Sequence, residues 1–281
     1  MAKVNVEVKT KGKAMEDMGK ILRATLMDDY YMRRFFKGNV KCIQYVLCII
    51  MDDEGLVVKE VKTQKHLKGS KRGVFLDIYA VGSDGTEYDI EVQRKDEEAS
   101  PERAFYNLAM LKTNMLEKKR PYSDLRKAVV IFITEHDVIG DGKPLYTAEF
   151  RVKETNKPLG VNALILYVSN EIKDPKTKLG RLMYDFSCAD PDKMYSKLLA
   201  ARTRHFKNTE KGRSIMSTVW QEALDENARM VAKKAKEQEK EATAVRMLKS
   251  GKLAIEEIAT YSALSLATVK NLAKAVALGT I

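Results

Sequence analysis

Three side chains between positions 77 and 91 carry most of the chemistry legible in this sequence. Asp77, Asp89 and Glu91 lie within GVFLDIYAVGSDGTEYDIEVQRKDEE, residues 73 to 98. Carboxylates brought together in this way form an oxygen cage suited to Mg²⁺ or Mn²⁺. A divalent ion so held lowers the pKa of bound water and stabilises charge on a phosphodiester under in-line attack. Such chemistry needs neither histidine nor cysteine, and the chain has only three of each. His66, His136 and His205 are widely dispersed, and Cys42, Cys48 and Cys188 form no CxxC pair, so zinc-ribbon and disulfide scaffolds are not expected. The bland alternative is that acidic residues on one face of a hairpin are simply solvated.

Which reading holds depends on the elements beneath these residues. Val74 to Val81 and Tyr88 to Gln93 read as strands around a Gly-Ser-Asp-Gly turn. Period-2 alternation puts Asp77 on one face with Phe75 and Tyr79, and puts Glu87, Asp89, Glu91 and Gln93 together on a face of the next strand. A two-residue turn at Asp84-Gly85 would set Asp77 opposite Val92, leaving Asp77 and Glu91 on opposite faces. A three-residue loop, Ser83-Asp84-Gly85, with Gly85 left-handed, sets Asp77 directly opposite Glu91. The x-Asp-Gly sequence favours the second arrangement.

The surrounding elements alternate in the manner of an α/β or α+β core with a mixed sheet. Ala14 to Phe36 has helical periodicity, and Val40 to Met51 reads as a strongly apolar helix. Leu56 to Thr63 is valine-rich and strand-like. A helix is expected from Pro101 to about Lys118, capped by Ser100. Ala128 to Thr134 and Asn162 to Ser169 are continuously apolar and β-branched, as buried strands are. Helices are expected over Lys193 to His205 and Ser214 to Leu248.

The expected organisation is a first domain over residues 1–207, a charged helical linker over 208–248, and a small helix-turn-helix-like hairpin over 249–281. In that hairpin Ala259, Ala263 and Val269 fall at helix-turn-helix spacings, and Ser265 would cap the second helix. Position 263, where glycine normally supplies the turn, is alanine. DNA contact and packing or dimerisation through these helices are both open readings. The 50 Lys+Arg against 39 Asp+Glu, a net +11 over 281 residues, suit a polyanionic partner. No apolar run is long enough to span a bilayer, and the opening MAKVNVEVKT lacks the apolar segment of a secretory signal, so a cytoplasmic location is expected.

Several segments together resemble the PD-(D/E)XK nuclease superfamily, and within it the recombination-promoting nuclease (Rpn) and transposase branch. They are DDYYMRRFFKGN, FLDIYAVGSDGTEYDIEVQRKDEEASPERAFYN, VVIFITEHDVIGDGKPLY and GRLMYDFSCADPDKMYSKLLAARTRHFK, which cover most of residues 26 to 207. The resemblance implies a restriction-endonuclease-like core with a helical C-terminal extension, and a metal-dependent DNA endonuclease activity. It places the metal-binding aspartate at Asp77 and the acidic motif residue at Glu91, with the Val92 carbonyl as a further ligand to Mg²⁺ or Mn²⁺. The third catalytic position, lysine in the superfamily at large, is Gln93, as is usual in this branch. The proline of the motif is absent, since Val74 to Leu76 precede Asp77.

Glutamine can only orient a water by hydrogen bonds, so a cation would have to come from the metal or from Arg94, Lys95 or Arg103. Arg103 and Tyr106 would reach this site or a phosphate backbone, or else lie on the surface. Lys68, Lys71 and Arg72 could track phosphates or form an ordinary basic loop. Asp28 and Asp29 stand where some superfamily members supply an extra acidic ligand; the competing role is a helix cap or turn. The rival function is a catalytically degenerate DNA-binding or regulatory protein of a mobile element.

Overall fold

The fold is described from a computed structural model covering residues 18–69 and 72–280. Its centre is a six-stranded mixed sheet in the order β1-β2-β3-β4-β6-β5. The strands are β1 (Val58–Leu67), β2 (Val74–Gly82), β3 (Glu87–Gln93), β4 (Ala128–Thr134), β5 (Leu145–Glu149) and β6 (Ala163–Ser169). β1, β2 and β3 pair antiparallel, whereas β3, β4 and β6 run parallel and β5 returns antiparallel on β6. Parallel neighbours need a crossover, and α3 (Pro101–Met115) supplies the one between β3 and β4. The architecture is thus the expected mixed α/β sheet with helices around it.

The central strands are covered on both sides, which explains their unbroken apolar runs. Along β4, Val129, Ile131 and Ile133 join one core with α1 (Asp29–Phe36), α2 (Val40–Ile50), α4 (Lys178–Ser187) and α5 (Lys197–Asn208). Ala128, Val130 and Phe132 join a second core with α3. β3 obeys the same alternation with one exception. Tyr88, Ile90 and Val92 enter the first core, while Asp89 and Glu91, both fully buried, turn toward α3. A strand therefore buries carboxylates where its pattern would call for apolar residues.

The continuous first helix expected over Ala14 to Phe36 is interrupted. Residues 18–23 are helical, a turn follows, and α1 begins at Asp29, while positions 14–17 lie outside the described residues. The Asp28 carboxylate accepts hydrogen bonds from the Thr25 N–H (2.8 Å) and hydroxyl (3.2 Å), a local pairing that competes with helix continuation. The helix expected from Lys193 starts at Lys197, because Asp185 draws the N–H groups of Tyr195 and Ser196 into a turn (2.7 and 2.8 Å) and Ser196 caps the helix. β5 and α4 are elements that the sequence patterns did not single out.

The chain divides into two compact units, Met1–Trp220 and Gln221–Ile281, and α6 (Glu210–Ser250) runs through the division. In the second unit Ala244, Ile258 and Val269 form the buried centre of a small cluster with α7 (Ile255–Ser262) and α8 (Leu266–Ala277). Ala263 itself takes the left-handed conformation (φ 52°, ψ 40°), and Leu264 N–H reaches back to the Ala259 carbonyl (3.2 Å). Ser265 caps α8 through the Thr268 N–H (3.1 Å).

Candidate active site

The site begins with the turn between β2 and β3. Gly82 N–H donates to the Thr86 carbonyl (2.8 Å), Gly85 has φ +82°, and Asp84 accepts from the Thr86 N–H (3.0 Å) and hydroxyl (2.7 Å). This is the three-residue loop, and it sets Ile78 against Ile90 and Tyr79 against Asp89. Continuing the same register puts Asp77 opposite Glu91. Beyond Ile78 the ladder gives way, and the Asp77 N–H donates to the Glu91 side chain (Oε1, 3.1 Å).

Three elements converge on the Asp77 carboxylate. From β1, Gln64 donates its amide to Oδ1 (3.0 Å), and from α1, Arg33 approaches the same oxygen (3.4 Å). The Val92 N–H of β3 is also directed at it. Gln64 stands in mid-strand with φ +54°, a strained conformation for a side chain of its kind and one often stored at functional sites.

Glu91 is held from α3. Its Oε2 accepts from Arg103 Nη2 (2.6 Å) and from the Gln93 amide (3.2 Å). Arg103 also donates to the Glu98 carbonyl (2.7 Å), and its guanidinium lies over the Phe132 ring at 5.7 Å. Ser100 caps this helix as expected, accepting the Arg103 N–H (3.3 Å). Asp89 lies beside the pair, and its carboxyl group interacts with that of Glu91. Its Oδ2 accepts from Asn107 (2.9 Å), while Oδ1 is buried without a partner.

Burial raises the pKa of all three acids. It is the main cause at Asp77, where Arg33 and Arg103 oppose it. Glu91 is pushed up to about 7 by burial and then by the Asp77 charge, with Arg103 again opposing. Asp89 is raised well above the usual carboxylate range by burial and by Glu91. A cluster that resists ionisation is short of positive charge, and its donors are all oxygen, so the residues fit a hard divalent cation. Among the described residues no group of three or more His, Cys, Asp or Glu side chains has the spacing of a metal cage. Asp77 and Glu91 are the two carboxylates that the main-chain hydrogen bond links.

A cavity of about 320 Å³ opens onto Asp77, Val92 and Gln93 and is bordered by Arg33 and Arg103. The three cations suggested by the sequence, Arg94, Lys95 and Arg103, all line this cavity. Arg103 touches Glu91, Arg94 pairs with Asp28 (2.7 Å) and Glu135 (3.1 Å), and Lys95 stands near Glu98. Asp28 and Asp29 line the same cavity, Asp28 bound to the Thr25 turn and to Arg94 and Asp29 paired with Arg33 (2.5 Å). Tyr106 donates to the Arg72 carbonyl (2.7 Å) and does not contact the acids. Lys71 lies outside the described residues. Gln64, Arg33 and Asn107 were not singled out from the sequence. Nothing in KTQKH marks Gln64, and Arg33 lies 44 positions before its partner.

A sequence-family model described as PD-(D/E)XK nuclease family transposase matches residues 27–178, from the turn before α1 to the first residue of α4. No curated protein and no solved structure matches the chain. The matched span holds β1 to β6 and every side chain around the paired acids, and it exceeds half of the chain. The chain belongs to the PD-(D/E)XK nuclease family transposases.

Proposed function

We propose that this protein is a metal-dependent DNA endonuclease of the recombination-promoting, transposase-like type, with Asp77, Glu91 and Gln93 as its catalytic residues. The observation that carries the reading is the pairing of two buried acids with raised pKa, Asp77 and Glu91, the first of which lines a cavity bordered by Arg33, Arg94 and Arg103. Asp77, Glu91 and the Val92 carbonyl would hold Mg²⁺ or Mn²⁺. When bound, that ion supplies an acidified water and charge stabilisation on the phosphoryl oxygens.

The remaining work falls to side chains. Gln93, buried beside Glu91, orients the attacking water through its amide but can take no proton from it. Arg103, half-exposed and anchored at the Glu98 carbonyl, presents its guanidinium to the phosphate as negative charge grows there. Arg33 and Gln64 hold the Asp77 carboxylate in place. The small C-terminal unit would help to hold DNA or a second protomer.

Supercoiled plasmid incubated with Mg²⁺ or Mn²⁺ tests this. Nicked or linear product is expected with the native protein and none with Asp77→Ala or Glu91→Ala; cleavage persisting in both variants would overturn the assignment. One observation favours a second reading, a degenerate DNA-binding or regulatory protein. Arg103 and Gln93 already occupy Oε2 of Glu91, as they would in a site that had lost its cation. DNA binding that survives EDTA, with no nicking in either metal, would favour that alternative.

A further inference from the structure

A second cavity, about 670 Å³, adjoins the catalytic one, and Arg103 and Glu98 border both. Its volume is typical of ligand sites, about 300–1,000 Å³. Phe75 forms part of its wall. This ring is 61% exposed, an unusual position for a phenylalanine on a strand, and it stands two residues before Asp77. A strand advances about 3.3 Å per residue, so the ring and the catalytic acid are roughly 7 Å apart along β2. That separation is about one step of an extended single strand.

The ring is held in place. It stacks on His66 at 4.5 Å between centroids and 26° between planes. Gly73 permits this packing, since a Cβ there would come within 2.6 Å of His66 Nε2 and 2.8 Å of the Leu67 carbonyl. Tyr106, also partly exposed, lines the groove and is fixed by its bond to the Arg72 carbonyl.

The charges describe the occupant. A channel for phosphates is lined by cations, but here Arg72 and Arg103 are matched by Glu98 and Glu102. An uncharged flat ring with hydrogen-bonding edges suits such walls, its face on an aromatic side chain and its edge toward carboxylates and guanidinium groups. A base within a duplex has both faces covered by its neighbours and cannot enter. We infer that this groove receives an unpaired nucleobase next to the scissile phosphate, so that the substrate is DNA with a flap, overhang or gap. The inference rests on the nuclease reading above and narrows its substrate.

The test uses the full-length protein and oligonucleotides carrying 2-aminopurine either in a single-stranded flap at the junction or within a blunt duplex of equal length. Binding is followed by fluorescence in EDTA, where cleavage is off. Stacking is expected to quench the flap base, and the flap substrate is expected to bind about ten-fold more tightly than the duplex. Phe75→Ala should lose both effects, and Phe75→Trp should keep them. Equal affinity for the two substrates, or a selectivity unchanged in Phe75→Ala, would overturn the inference. Cleavage of the same substrates in Mg²⁺ is scored separately. Flap-selective quenching without cleavage would sustain the groove and sink the nuclease reading, and cleavage without selectivity would do the reverse.

Discussion

The main-chain N–H of Asp77 donates to the side chain of Glu91 over 3.1 Å, at the point where the β2–β3 ladder stops. One acid is thereby positioned by the main chain of the other. Because a main-chain donor is used, the Asp77 carboxylate stays free to face Gln64, Arg33 and the Val92 main chain. Two acids that repel each other are thus linked within one site by a main-chain hydrogen bond.

Asp77→Asn should separate catalysis from folding. The amide keeps the size of the carboxylate and removes a charge that burial disfavours. Plasmid cleavage is expected to fall by about 10³-fold or more, while urea unfolding in EDTA changes by less than about 1 kcal/mol. A large loss of stability would mean that the Asp77 charge is structural.

Glu91 makes the stability of the metal-free protein depend on pH. Its folded pKa, about 7, lies above the ordinary 4.5, so the fold binds this proton more tightly than the unfolded chain does. Stability must then fall as pH rises from about 4.5 to 7 and stay low above it. Asp77 and Asp89, also raised, act in the same direction. Thermal melts in EDTA should be higher at pH 5 than at pH 8, and Glu91→Gln should flatten the difference. Added Mg²⁺ should protect most at the higher pH, since the cation competes with the proton.

Arg103→Ala is expected to lower cleavage by about 10²-fold, the usual cost of losing one donor to a developing anion. Arg103→Lys should recover little of it. A single ammonium cannot replace the planar fork that spans the Glu98 carbonyl and Glu91. Single-turnover rates at saturating protein separate this loss from weaker binding.

Lys207→Met should destabilise the first unit without touching the acids. The buried ammonium donates to the carbonyls of Leu22 (2.9 Å), Ala24 (2.5 Å) and Ala189 (2.7 Å), closing the turn before α1 onto α5. Leaving those acceptors unpaired should cost about 3 kcal/mol in urea unfolding. An unchanged midpoint would show that the carbonyls find other donors.

In the second unit the sequence departs from the usual glycine, and the departure is measurable. Ala263 sits in the left-handed region, where a Cβ is crowded by the backbone. Ala263→Gly should stabilise this unit by about 1 kcal/mol, read as protection of the amides of α7 and α8 from hydrogen exchange. Exchange that is unchanged or faster would place the strain elsewhere.

Much of this site is local, and local chemistry can be read in a sequence. Ser-Asp-Gly specifies the loop, the loop specifies the register, and the register places Asp77 opposite Glu91. Ser100 and Pro101 start α3 for equally local reasons, and the apolar runs of β4 and β6 announce burial on both faces. Arg103, close behind the motif strand, could be read as a candidate, but the other partners of the acids could not. Gln64, Arg33 and Asn107 arrive from three separate elements, and their roles depend on how helices pack across a sheet. Asp89 illustrates the limit most clearly. By period it belongs with Glu91, and it does adjoin it, but an amide from α3 also claims one of its oxygens. The sequence by itself determined which acids face each other, because strand period and turn chemistry act over a few residues. Only the tertiary structure decided their charge and their company, because burial and long-range pairing are properties of the packed chain.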